Sequence, residues 1–170
     1  MSAPAVAVLT CNTVLNAHDF GHVLAGGQEA YAQVALAYED RLLRRKRLKL
    51  CDGLAVLLDL EKVTNLEHGG ALVLPDGRHV QIVAAPEAVL VISGSNLPRL
   101  AWHIGNRHTP CQIENDHLII LHDHVLAQML THLGAEVVLL TLPFTPEGGA
   151  YGHGRTFGHS QGPADHAHEH

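Results

Sequence analysis

Residues 88–142 constrain the fold most, because strand and helix patterns follow one another there in an order that few topologies accommodate. Ala88-Val89-Leu90-Val91-Ile92 is an unbroken apolar run of β-branched type, the pattern of a strand. Ser93-Gly94-Ser95-Asn96 then supplies turn and N-cap chemistry, and Pro98 suits a first helical turn. Leu97, Leu100, Ala101 and Ile104 recur at helical spacing and define one face, with Gly105 as the expected stop. Residues 111–114 and 117–121 read as strands joined by a tight turn at Asn115-Asp116. Asp123 is a good N-cap for a second helix with a buried stripe of Val125, Leu126, Met129, Leu130 and Leu133, closed by Gly134. Residues 136–142 form a last strand. The order β-α-β-β-α-β predicts a ferredoxin-like domain over residues 88–150.

Ahead of it, residues 1–87 carry short β-like signals and predict a small all-β domain, so the fold class is α+β. Within residues 30–38, Val34, Leu36 and Tyr38 fall on one face of a strand. Residues 54–60 form a buried strand after a turn at Asp52-Gly53. Leu72-Val73-Leu74 and Val80-Gln81-Ile82-Val83 flank Pro75-Asp76-Gly77-Arg78, where proline presets φ and glycine permits a left-handed conformation. Arg41, Arg44, Arg45, Lys46, Arg47 and Lys49 hold six of the chain's 11 basic residues. They read as a solvated strand blunting a sheet edge, with docking to an acidic partner as the alternative.

Past Tyr151 periodicity ends. Residues 151–170 are rich in glycine and histidine, with too little apolar surface to offset ordering entropy, and form a His-rich tail expected to be disordered without metal. A net charge of −6 argues against nonspecific binding to nucleic acid or acidic lipid, and 4% aromatic content against base-stacking platforms. The start lacks a basic segment and a long apolar run, no stretch reaches membrane-spanning length, and Cys11, Cys51 and Cys111 suggest neither a disulfide framework nor a thiolate zinc site. The expectation is a reduced, cytoplasmic protein.

Fifteen histidines are the anomaly. Three groups stand out: His103 with His108 across a Gly-Asn break, His122-Asp123-His124, and the tail histidines His153, His159, His166, His168 and His170. Neutral imidazole is a borderline ligand for Ni, Cu and Zn, so metal binding is the reading common to all three. A closed structural site would need four fixed ligands, and no H-E-x-x-H is present to make a zinc hydrolase. Each group also has an ordinary reading: His103 as a packing residue, His108 as a loop residue, and His122 and His124 as surface residues beside a capping aspartate. The tail histidines are spaced by Gly, Ala, Asp and Glu, which favours a native metal-gathering segment over a purification tag. His18, His22, His68, His79, His117 and His132 are expected on the surface. Cys111, at the start of an apolar strand, reads as a packing thiol rather than a soft ligand. No catalytic constellation emerges, so the chain is not expected to be an enzyme.

His103-Ile104-Gly105-Asn106-Arg107-His108-Thr109-Pro110, His122-Asp123-His124-Val125-Leu126, residues 142–151 and the His-rich end closely resemble the UreE family of urease accessory proteins, over about half the chain. The resemblance implies a homodimeric nickel metallochaperone with an N-terminal β domain of peptide-binding type that contacts partner proteins. It implies a primary Ni(II) site made by His108 of both chains at the dimer two-fold axis, with His122 and His124 at secondary sites. This tail holds fewer histidines than the longest in the family, which puts high-capacity storage in doubt but not delivery. The expected mechanism is capture of Ni(II) by the tail, retention by paired His108, and transfer to the urease apoprotein complex with its accessory GTPase. Zn(II) or Cu(II) would bind the same ligands in vitro, and a zinc or copper buffer without a delivery role is the alternative.

Overall fold

The computed structural model describes residues 8–148. The tail histidines His153, His159, His166, His168 and His170 lie outside the described residues. In chain order the elements are β1 (Leu9–Cys11), β2 (Thr13–Leu15), α1 (Ala17–Ala25), β3 (Ala32–Leu36), β4 (Leu42–Lys49), β5 (Ala55–Asn65), β6 (Ala71–Val73), β7 (His79–Ala84), β8 (Pro86–Ser93), α2 (Leu97–Gly105), β9 (Gln112–Ile113), β10 (Leu118–Leu121), α3 (His124–His132) and β11 (Glu136–Pro143). The chain is thus mixed α+β, rich in sheet, and organised in two parts, each with its own core.

The first part packs two sheets against each other, ordered β1-β5-β4 and β2-β6-β7-β3. Alternation drives the packing: in β7 every second residue is buried, and Val80 and Ile82 join Val34, Leu48, Val56, Leu58 and Leu72 in one core. The turn at Pro75-Asp76-Gly77-Arg78 forms as expected, with Gly77 at φ 84°. β1 pairs with β5, and β3 with β7, in parallel.

Four features of the expected layout change. Helix α1 lies where only strands were expected, so this part is not all-β. Its nine residues enclose Gly21 and two histidines, which hide the apolar period, and only Phe20 is buried. Second, the strand at residues 30–38 ends at Leu36, and Tyr38 enters a single 3-10 turn, Tyr38–Arg41. Third, β4 is an edge strand as expected, with Arg44, Arg45, Lys46 and Arg47 exposed, but Arg41 is not part of that solvated face. It is only 4% exposed, donates to the Phe144 carbonyl and lies 3.9 Å from the Glu87 carboxylate. Fourth, Val125 in α3 is 52% exposed; Leu126 and Leu130 supply the buried stripe, with Met129 and Leu133 half-buried beside them.

The second part has one antiparallel sheet, ordered β11-β8-β10-β9, with Val91 facing Ile119 on β10 and Val138 on β11. Leu90, Ile92, Leu118 and Ile120 pack with Leu100 and Ile104 of α2 and Leu126 and Leu130 of α3. Each such side chain, fully buried, contributes about 1.5–3 kcal/mol. Val89 and Ile119, on the opposite face, pack with Phe144 and with Tyr38 of the first part. Burial on both faces explains the unbroken apolar run of β8. That strand begins at Pro86, two residues before the apolar run opens.

Candidate metal centre

Helix α2 positions the first candidate ligands. The Asn96 side chain accepts the Arg99 N–H at 3.1 Å, Pro98 sits in the first turn, and Leu100 and Ile104 anchor the helix on the sheet. With those faces fixed, Trp102 is 63% exposed and His103 half-buried, their rings edge to face at 5.0 Å. His103 is therefore a partly packed residue of the helix, not a fully presented ligand.

Gly105 is the last residue of α2, as expected, but the stop does not use glycine's conformational freedom. Asn106 keeps helical φ and ψ, and the chain reverses at His108, whose φ of 55° is the sole positive value at a non-glycine among the described residues. The His108 N–H donates to the Gly105 carbonyl at 2.9 Å and the Thr109 N–H to that of Ile104 at 3.5 Å. These two bonds form a Schellman closure, with histidine in the left-handed position that glycine usually fills. Such a residue costs roughly 1–2 kcal/mol more than glycine in this conformation. What results is an exposed imidazole on the tip of a rigid helix end, its backbone held by two hydrogen bonds.

His122 and His124 flank the start of α3 and are both exposed. Asp123 between them is a cap: its Oδ1 accepts the N–H groups of Val125 at 2.8 Å and Leu126 at 3.0 Å. The hydrogen bond from Leu126, foremost, holds its carboxyl below the usual carboxylate range, assisted by Val125 and the neighbouring histidines. Committed to these bonds, the carboxylate orients the helix between the two imidazoles.

Cys111, three residues past His108, packs against the second core. Burial, with the negative charge of Glu147 adding to it, pushes its thiol up to about 11, against a weaker opposing hydrogen bond from the Ile119 backbone. A thiol so protonated at neutral pH is a poor metal ligand. Cys11 is fully buried, its Sγ donating toward the carbonyls of Thr13 and Val73, and Cys51 is exposed.

Among the described residues, no three His, Cys, Asp or Glu side chains of one chain come together as a metal cage. His108, His122 and His124 are each exposed on the second part. His18 and His22, expected as ordinary surface residues, meet on α1 with Nε2 atoms 3.4 Å apart. The spacing of four residues behind the Asn16 cap was the available signal. No helix among the described residues is long and apolar enough to cross a membrane.

Two family profiles match overlapping stretches of the chain: that of the UreE urease accessory protein, N-terminal domain, over residues 14–85, and that of the C-terminal domain over residues 78–170. A urease accessory protein UreE from Ruegeria pomeroyi is 56% identical over 132 residues, covering 78% of this chain and 89% of its own length. One from Paracoccus denitrificans is 62% identical over 125 residues, covering 74% and 80%. One from Rhodobacter capsulatus is 56% identical over 140 residues, covering 82% and 89%.

Proposed function

This chain belongs to the UreE family of urease accessory proteins, and on that premise we propose that it is a homodimeric Ni(II) metallochaperone that delivers nickel to the urease apoprotein. The carrying observation is His108, an exposed imidazole fixed in a left-handed helix closure within the family-matched segment. One imidazole is a weak ligand. A second copy across a two-fold axis would set its own His108 opposite the first. Trp102 and Val125, 63% and 52% exposed, add the kind of apolar surface that such pairing would cover.

In this proposal residues 1–87 form a partner-contacting domain, residues 88–150 a ferredoxin-like metal-binding and dimerisation domain, and residues 151–170 the His-rich tail. The strand order β11-β8-β10-β9 supports the ferredoxin-like assignment. His153, His159, His166, His168 and His170 capture cytoplasmic Ni(II), the paired His108 residues hold it, and His122 and His124 serve as secondary ligands. The metal is cargo, so its site must be open. Two donors leave coordination positions to which the urease assembly complex and its accessory GTPase can add ligands before the old bonds break. A closed four-ligand site would release too slowly for that exchange.

Urease activation in extract at limiting nickel, with and without the protein, tests delivery. A gain in activity is expected, and no gain would leave a Zn(II) or Cu(II) buffer as the function. Nickel calorimetry checks the site: His108→Ala should abolish the binding event with a stoichiometry of one per dimer. Deletion of residues 152–170 should lower total stoichiometry and spare that event.

A further inference from the structure

We propose a second metal site, formed by His18 and His22 on helix α1 in the first part of the chain, taking a divalent first-row cation of the Cu(II), Ni(II) or Zn(II) class. It shares no ligand with the His108 centre, and its existence does not depend on the function proposed above.

Residues four apart stack on one helix face, so His18 and His22 are placed side by side by helix geometry alone. The helix itself is well fixed. Asn16 caps it, accepting the Asp19 N–H at 2.7 Å, and Phe20, fully buried, anchors the opposite face. Outward, the side chain of His18 is 80% exposed and His22 is exposed. Their rings meet edge to face, with centroids 4.6 Å apart and planes at 81°.

The Nε2 atoms are 3.4 Å apart. That is long for a hydrogen bond, whose usual range is about 2.7–3.2 Å. It is the separation of two ligands on one metal: with metal–nitrogen bonds of about 2.0–2.1 Å, it corresponds to an N–metal–N angle of about 110°, that of a tetrahedron. Asp19 contributes from behind. Its Oδ1 lies 3.4 Å from His18 Nδ1, so a proton on Nδ1 faces a carboxylate and the Nε2 lone pair is left for the metal. At this separation the carboxylate acts on the ring by charge rather than through a close hydrogen bond. The groove beside His18 is lined by both Lys62 and Glu67, so the one cationic side chain there is matched by a carboxylate. Two ligands with the remaining positions open to solvent make a weak, readily exchanging site, with Cu(II) binding most strongly.

The test is a Cu(II) titration of the 15N-labelled full-length chain, followed by paramagnetic broadening of assigned amide signals, a readout that places each bound ion regardless of the other histidines. Signals of residues 16–25 should broaden as a distinct set, and should do so equally in His108→Ala. His18→Gln or His22→Gln should each raise the Cu(II) concentration needed for that broadening by about tenfold or more, because either change removes the chelate. Both positions are exposed, so both variants should keep the wild-type spectrum without metal. Unchanged broadening of α1 in the double variant, or none in the wild-type chain at large excess of Cu(II), would overturn the site. Loss of that broadening in His108→Ala would overturn it as well, because the site shares no ligand with His108.

Discussion

Substituting His108 by glycine and by alanine separates the cost of its backbone from the use of its side chain. At φ 55° a residue with a Cβ carries roughly 1–2 kcal/mol of steric cost that glycine avoids. Glycine returns about 0.5–1 kcal/mol of that through the greater backbone entropy it loses on folding. The net preference for glycine over alanine is therefore about 0.5–1 kcal/mol. For a chain of this size each kcal/mol moves Tm by about 2–4 °C, so His108→Gly should melt about 1–4 °C above His108→Ala. The comparison requires metal-free protein in chelator at matched concentration, because bound metal and dimerisation both raise Tm. Both variants lack the imidazole and should lose the one-per-dimer nickel event alike. If His108→Gly melted at or below His108→Ala, the left-handed closure would be wrong. If either retained wild-type nickel binding, His108 would not be the axial ligand.

Three further outcomes follow from other contacts. Arg41→Met should destabilise by about 3 kcal/mol, measured by urea denaturation, because it leaves the Glu87 carboxylate, only 18% exposed, and the Phe144 carbonyl without their guanidinium. Asp123→Ala should cost about 1 kcal/mol of cap energy. Since the folded Asp123 carboxyl titrates below its ordinary value of 3.8, the charge-dependent part of that contribution is present above the ordinary value and lost as pH falls through the lowered one, so the gap between variant and parent should narrow in strong acid. Cys111, pushed up to about 11 from 9.0, should resist iodoacetamide at pH 8 while exposed Cys51 reacts. Its buried thiol favours the folded state fully below pH 9, and that advantage should fade as pH rises toward 11.

The second part of the chain was legible because its helices announce themselves locally. Asn96 and Asp123 cap directly before apolar stripes, and β8 reads as a strand from its unbroken apolar run. Helix α1 was not legible, since a nine-residue helix anchored by Phe20 alone has almost no apolar period to detect. Nor was the burial of Arg41: among basic neighbours on an edge strand, its environment is set by Phe144, 103 residues away. At the candidate centre the motif pointed to the segment but not to its conformation. Glycine chemistry favoured a stop at Gly105, whereas hydrogen bonds back to Gly105 and Ile104 place the reversal at His108. Fixing Arg41 against Phe144 also has a temporal side. Among the described residues every sheet pairing of the first part involves residues 9–84, so its sheets can close while the ribosome is still making the remainder. During synthesis the guanidinium can reach its carbonyl only after Phe144 has been made, so the junction between the two parts is expected to form late. Weakening it should then leave the refolding limb of a chevron nearly unchanged and steepen loss of the native state through faster unfolding.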